Sequence, residues 1–208
     1  MQNMQKEKKI FYFNTKDKYA SFEFGDTLYR LLQKHYNSAR PLIFLCIGSD
    51  RATGDCLGPL LGHKLHSSLY DSAFHVYGTL QEPVHARNLS ETLDMIHHSH
   101  HNPFIIAVDA SLGKSNHIGY YTVGEGALKP GAGVDKELPC VGDLCITGIV
   151  NMSGLLDHML LQTTRLQIVM SLTDQIYAGI NHCIRRQLRS HRAQIGSSVA
   201  FPLKQYEL

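Results

Sequence analysis

Two short apolar runs, each running into an aspartate, set what this chain can fold into. The first, Leu42-Ile43-Phe44-Leu45-Cys46-Ile47, empties into Gly48-Ser49-Asp50-Arg51-Ala52-Thr53-Gly54, with Asp55 just ahead of Gly58-Pro59. The second, Phe104-Ile105-Ile106-Ala107-Val108, terminates in Asp109. Runs of this length bounded by turn residues or a charge read as buried strands. In open parallel sheets, sites form outside the carboxyl ends of the strands. Asp55 and Asp109 are therefore expected at one sheet edge, where two carboxylates can share a proton, hold a metal ion or orient a water.

The rest of the chain supplies helices to cover such a sheet. An apolar arm at 10–13 leads to a helix over 22–36, with Leu28, Leu31 and Leu32 at helical spacing and Asp26 near its start. A helix over 57–69 carries Pro59 in its first turn. A short strand over 73–78 precedes a helix capped by Asn88 or Ser90 that runs to about His98. Strands follow at 104–108 and 120–123, then a glycine-rich loop, and order returns at 144–150. Residues 154–161 read as helix, 166–170 as strand, and 173–189 as a long helix with Ile176, Ile180, Ile184 and Leu188 on one face. Strands alternating with helices predict an α/β fold, a three-layer sandwich on a mixed, mainly parallel sheet. The expectation is a single domain over 1–208, with 1–37 as arm and first helix and 193–208 as a loose tail, within which 199–203 could add an edge strand.

Composition narrows the function. In 208 residues, 43% are hydrophobic and 18% charged, so a full core can form. A formal charge of +2 implies no basic face built for nucleic acid. The basic clusters at 6–9 and 185–192 read as solvated ends. No run approaches the ~18 apolar residues of a membrane span, and no leader pattern is visible. A cytoplasmic protein with five reduced cysteines is expected. Cys46 reads as core; Cys56 lacks an adjacent activating base.

Asp55 and Asp109 are the candidate catalytic pair. Ser49, Asp50, Lys136 and Asp143 are candidate supporting or substrate-binding residues: Ser49 and Asp50 share the first loop, Asp143 follows Gly142, and Lys136 is a cation in the glycine-rich stretch that could stabilise an oxyanion. The run His97-His98-Ser99-His100-His101 falls at a helix end, which offers imidazoles without enforced geometry. It is not read as a metal site. His63, His66, His85 and His117 have no partner at a diagnostic spacing. No Gly-x-Ser-x-Gly elbow or Walker loop is present.

Four segments together carry a family likeness: 48–59, Val108-Asp109-Ala110-Ser111-Leu112-Gly113, 129–139 and 141–151. They resemble the YyaC-type sporulation protein family of spore-forming Firmicutes, over roughly residues 20–190. That family is similar to the spore germination protease and, more remotely, to hydrogenase maturation endopeptidases. The resemblance implies a three-layer phosphorylase/hydrolase-like fold and a role for Asp55 and Asp109 as the two aspartates of a germination-type protease. Gly131, Gly133, Val134 and Lys136 echo that protease's Pro-Gly-x-Gly-Val loop. The hydrogenase proteases grip a metal with the equivalent acidic pair and a histidine, to which no residue here is matched.

The expectation is a sporulation-associated endopeptidase of the cytoplasm, in the sporulating cell or spore. It needs no cofactor and acts on a protein or peptide such as a spore protein, with no nucleic-acid or membrane partner; a homo-oligomer is compatible. Two alternatives stay open: a catalytically silent spore-assembly or binding protein, and a maturation endopeptidase with a divalent metal at Asp55 and Asp109.

Overall fold

The computed structural model describes residues 9–68, 74–131, 138–154 and 156–198. Six strands form one sheet: β1 (Ile10–Asn14), β2 (Leu42–Cys46), β3 (His75–Tyr77), β4 (Phe104–Gly113), β5 (Tyr120–Glu125) and β6 (Leu144–Met152), in the order β1-β5-β6-β4-β2-β3. β3, β2, β4 and β6 are parallel; β5 runs against both its neighbours, β6 and β1. The helices are α1 (Ala20–His35), α2 (Leu57–Ser68), α3 (Leu89–Ser99), α4 (Asp157–Gln162) and α5 (Leu166–Ser198).

The side-chain alternation of β2 and β4 creates two cores. Leu42, Phe44 and Cys46 with Phe104, Ile106 and Val108 pack against α1, α2 and α5. Ile43, Leu45, Ile105 and Ala107 point to the opposite face, under Leu89 and Ile96 of α3 and the loop residues Val84, Leu138 and Val141. This is the expected three-layer α/β/α arrangement, with a heavy layer of three helices and a thin one of a single helix plus loops. Cys46 is fully buried, and burial pushes its thiol up to about 12.

Four expectations are corrected. β4 does not stop before Asp109; it continues to Gly113 because β6 goes on pairing with it, Asp109 opposite Thr147. Residues 166–170 are helix, not strand. Val169, Leu172, Ile176, Ile180 and Cys183, all fully buried, form one stripe at three- and four-residue spacing that overrides the local β-branched character of Ile168-Val169. The same helix runs to Ser198, through the start of the segment expected to be loose; residues 199–208, including the supposed edge strand, lie outside the described residues. Asp26 is in the middle of α1, where it pairs with His182 and Arg186 of α5 and ties the two helices together.

The close packing of α2 on β2 rests on a glycine. A Cβ at Gly58 would stand 2.0 Å from the Ile47 carbonyl oxygen, a backbone atom with no rotamer to yield. Gly58→Ala is expected to lower stability by about 1–3 kcal/mol, as overpacked sites do. Gly154→Ala, whose Cβ would meet nothing nearer than 3.6 Å, should leave it unchanged. Chemical denaturation of the two variants checks the contrast; equal midpoints would contradict the close approach.

Candidate active site

β2 and β4 are hydrogen-bonded neighbours, so their carboxyl ends open onto one edge. Past Cys46 the backbone continues for two residues in register. Ile47 N–H donates to the Val108 carbonyl at 2.7 Å, and Gly48 N–H donates to the Val84 carbonyl at 2.8 Å. Gly48 then turns with φ +143°, a conformation glycine tolerates, and a Cβ there would lie 2.1 Å from the Asp55 carbonyl oxygen. Ser49 N–H closes the loop on that same carbonyl at 3.1 Å, while the Ser49 hydroxyl accepts from Arg51 N–H at 3.2 Å. Asp55 is thereby fixed in a short 3-10 turn (Thr53–Cys56) leading into α2.

Asp109 arrives from the neighbouring strand. The alternation that sends Ile105 and Ala107 to the α3 face sends Asp109 there too, just past the end of β2. Both aspartates line one pocket of about 450 Å³, within the size range of ligand sites. Its walls come from residues between Ile47 and Asp55 after β2, from His85 to Arg87, from Asp109 and Ala110 of β4, from Gly131 with Leu138, and from His158, Leu161 and Gln162 of α4.

The two carboxyl groups sit in different surroundings. Asp109 is 5% exposed. Burial, then the nearby Asp55 carboxylate, holds its carboxyl well above the usual range, against the opposing pull of the Ala110 and Gly131 N–H groups. Asp55 is only partly buried. Burial raises it as well, but the Ser49 N–H and the neighbouring His85 and His158 imidazoles oppose the rise. The pair is therefore electrostatically coupled and unequal. Asp109 favours the acid form and Asp55 the carboxylate.

Of the supporting residues expected from sequence, Ser49 lines the pocket. Asp50 is exposed on the same loop and is not part of the wall. Asp143 is elsewhere: it accepts from Ile105 N–H at 2.9 Å and faces the Arg40 guanidinium at 3.4 Å, at the opposite end of β4 from Asp109. It joins the start of β4 to Arg40, ahead of β2, and does not line the aspartate pocket. Lys136 lies outside the described residues, as do Gly133 and Val134. Cys56 donates its thiol to the Thr53 carbonyl at 2.8 Å, and burial raises the thiol further, which disarms it as a nucleophile.

The histidine run is split between partners. His97 contacts the carbonyl of Leu93 on its own helix, and His100 meets the Tyr77 hydroxyl at 2.9 Å and stacks near His75. Among the described residues, no three histidine, cysteine or acidic side chains are grouped as metal ligands. His85, Arg87 and His158 were missed from the sequence because they come from one loop and one distant helix with no shared spacing. Asn88, expected with Ser90 as a candidate cap of α3, stands at its N-cap position, but its side chain makes no capping bond. It accepts from His85 N–H at 2.8 Å and donates to the Pro83 carbonyl at 3.0 Å, shaping the loop that presents His85.

The raised Asp109 carboxyl has a consequence for stability. An unfolded aspartate ionises near 3.9, whereas the folded Asp109 keeps its proton to higher pH. Across that interval the folded state binds more protons than the unfolded state, so stability falls as pH rises through it. Asp109→Asn removes the titration. The variant should gain on wild type as pH rises from about 4 and hold its advantage above the folded value. Denaturation midpoints across pH measure it; a constant difference would show that Asp109 titrates normally.

No helix among the described residues is long and apolar enough to cross a membrane. A family model described as "Protein of unknown function (DUF1256)" matches residues 12–179. The chain is also 49% identical, over 155 residues, to "Uncharacterized protein YyaC" of Bacillus subtilis (strain 168), an alignment covering 74% of this chain and 75% of that protein. The family match runs from β1 into α5 and takes in every wall of the aspartate pocket, so this protein belongs to the DUF1256 family.

Proposed function

We propose that the protein is a peptide hydrolase using Asp55 and Asp109 as a catalytic pair, of the germination protease type that its motifs resemble. The observation that carries this reading is the inequality of two coupled carboxyl groups in one pocket: one desolvated and proton-holding, the other more open and flanked by an N–H and two imidazoles. That arrangement pairs a proton donor with a proton acceptor in one pocket.

The chemistry follows from the difference in protonation. Asp55 takes a proton from a water as its oxygen adds to the peptide carbonyl carbon. Asp109 gives its proton to the carbonyl oxygen, so the tetrahedral intermediate forms as a neutral diol. On collapse the C–N bond breaks, Asp55 returns its proton to the leaving nitrogen, and one diol hydroxyl returns a proton to Asp109. Both groups end as they began, and one water has been consumed. Arg51, Arg87, His158 and Gln162 at the pocket wall are the groups available to hold the substrate chain. The motif resemblance directs the search for substrates to spore proteins, in the cytoplasm of the sporulating cell or in the spore.

Purified protein should cleave at least one small spore protein, or a peptide from one, as read by mass spectrometry. Asp55→Asn and Asp109→Asn should each reduce cleavage by about 1,000-fold or more, with the double variant no worse, since residues that act as one unit lose function together. A chelator should leave the rate unchanged. Loss of activity on chelation would favour a metal held by the same pair. Absence of cleavage between mildly acidic and neutral pH would favour a binding or assembly protein on the same fold.

A further inference from the structure

Three buried side-chain polar atoms among the described residues lack a hydrogen-bond partner: His85 Nδ1, Tyr121 Oη and Gln175 Oε1. Only His85 belongs to the aspartate pocket. Buried polar atoms are nearly always satisfied, so an orphan in a polar cavity marks the place of a water or a ligand.

The backbone that carries this ring is fixed in place. Val84 is clamped to the extension of β2, by its bridge to Ile47 and by the Gly48 N–H bond. The His85 N–H is held by the Asn88 side chain, and its carbonyl accepts from Asn88 N–H at 3.1 Å and Leu89 N–H at 3.0 Å as α3 begins. The loop bearing His85 is therefore fastened to the loop bearing Asp55. His85 is also shared with the lining of a second cavity, between α2 and α3.

The enclosed nitrogen decides the tautomer. An N–H at Nδ1 would be buried with no acceptor in place, whereas a bare Nδ1 lone pair can receive a hydrogen bond from a small donor; the ring proton then belongs on Nε2. We propose that His85 is a third functional residue of the site, a positioning residue whose Nδ1 accepts a hydrogen bond from the water that Asp55 deprotonates. This rests on the two-aspartate hydrolase reading. The water would donate one hydrogen to the Asp55 carboxylate and the other to Nδ1, leaving a lone pair of its oxygen free to meet the carbonyl carbon. Protonation of the ring turns Nδ1 into a donor and abolishes that orientation. The charged and titratable groups that share the pocket with His85 are Asp55, Asp109, Arg51, Arg87 and His158. In the second cavity they are His63, His66 and Glu82.

The test pairs kinetics with a spectrum. His85→Leu should lower kcat by about 100-fold, the scale of a misplaced reactant, with little change in KM. His85→Asn, whose amide oxygen can stand near the place of Nδ1, should recover most of the rate. Nitrogen-15 NMR of wild type should show His85 protonated at Nε2 and bare at Nδ1, with the Nδ1 resonance moving in Asp55→Asn. If wild type hydrolyses peptide and His85→Leu keeps its rate and pH profile, the inference fails and the aspartate reading stands. If wild type hydrolyses nothing, the spectrum still decides: a proton on Nδ1, or an Nδ1 resonance indifferent to Asp55→Asn, overturns the water site.

Discussion

A carboxyl group buried in the middle strand of a sheet beside a second carboxyl group is the constraint around which this molecule is organised. Ionising Asp109 would leave a charge in a desolvated place and set it against Asp55. The fold answers this by holding the Asp109 carboxyl well above the usual range rather than by pairing it with a cation. No ion pair to Asp109 occurs among the described residues; its local partners are the N–H groups of Ala110 and Gly131. Asp55 is placed oppositely, at the mouth of a glycine turn with N–H and imidazole neighbours. Two residues of one chemical type thus acquire two chemical characters from their surroundings.

The architecture delivers this inequality through strand adjacency. β2 and β4 are neighbours, and β2 ends while β4 continues, so Asp109 is carried to the edge inside a paired strand and Asp55 arrives on a loop. The heavy layer of α1, α2 and α5 seals one face of the sheet. The thin layer leaves room on the other for His85, Gly131 and Leu138 to approach the pair, and α4 closes the pocket from the sheet edge. A site under the thin layer is reachable, whereas one under the heavy layer would be closed.

Much of this was legible in the sequence. The uninterrupted runs at 42–47 and 104–108 announced buried strands, and the aspartates ending them announced the edge at which a site could form. What local pattern could not announce were features set by distant partners. β4 extends past its apolar run because β6 pairs with it, a non-local cause. The Ile168-Val169 stretch looked β-like, yet a helical stripe completed by Ile176, Ile180 and Cys183 captured it. Asp143 looked like a site residue because it follows a glycine in a glycine-rich region, but its partners are Arg40 and the Ile105 amide. His85 looked ordinary because its significance comes from an Asn88-shaped loop held against Gly48, which no spacing records.

The account stands or falls on the unequal protonation of the pair, and carboxyl carbon-13 NMR of labelled aspartate measures it directly. Asp109 should remain protonated well above the normal carboxylate range while Asp55 ionises first, and Asp55→Asn should lower the Asp109 midpoint by removing the neighbouring charge. Two aspartates that both titrate near 3.9, with Asp109 unmoved by loss of the Asp55 charge, would contradict it.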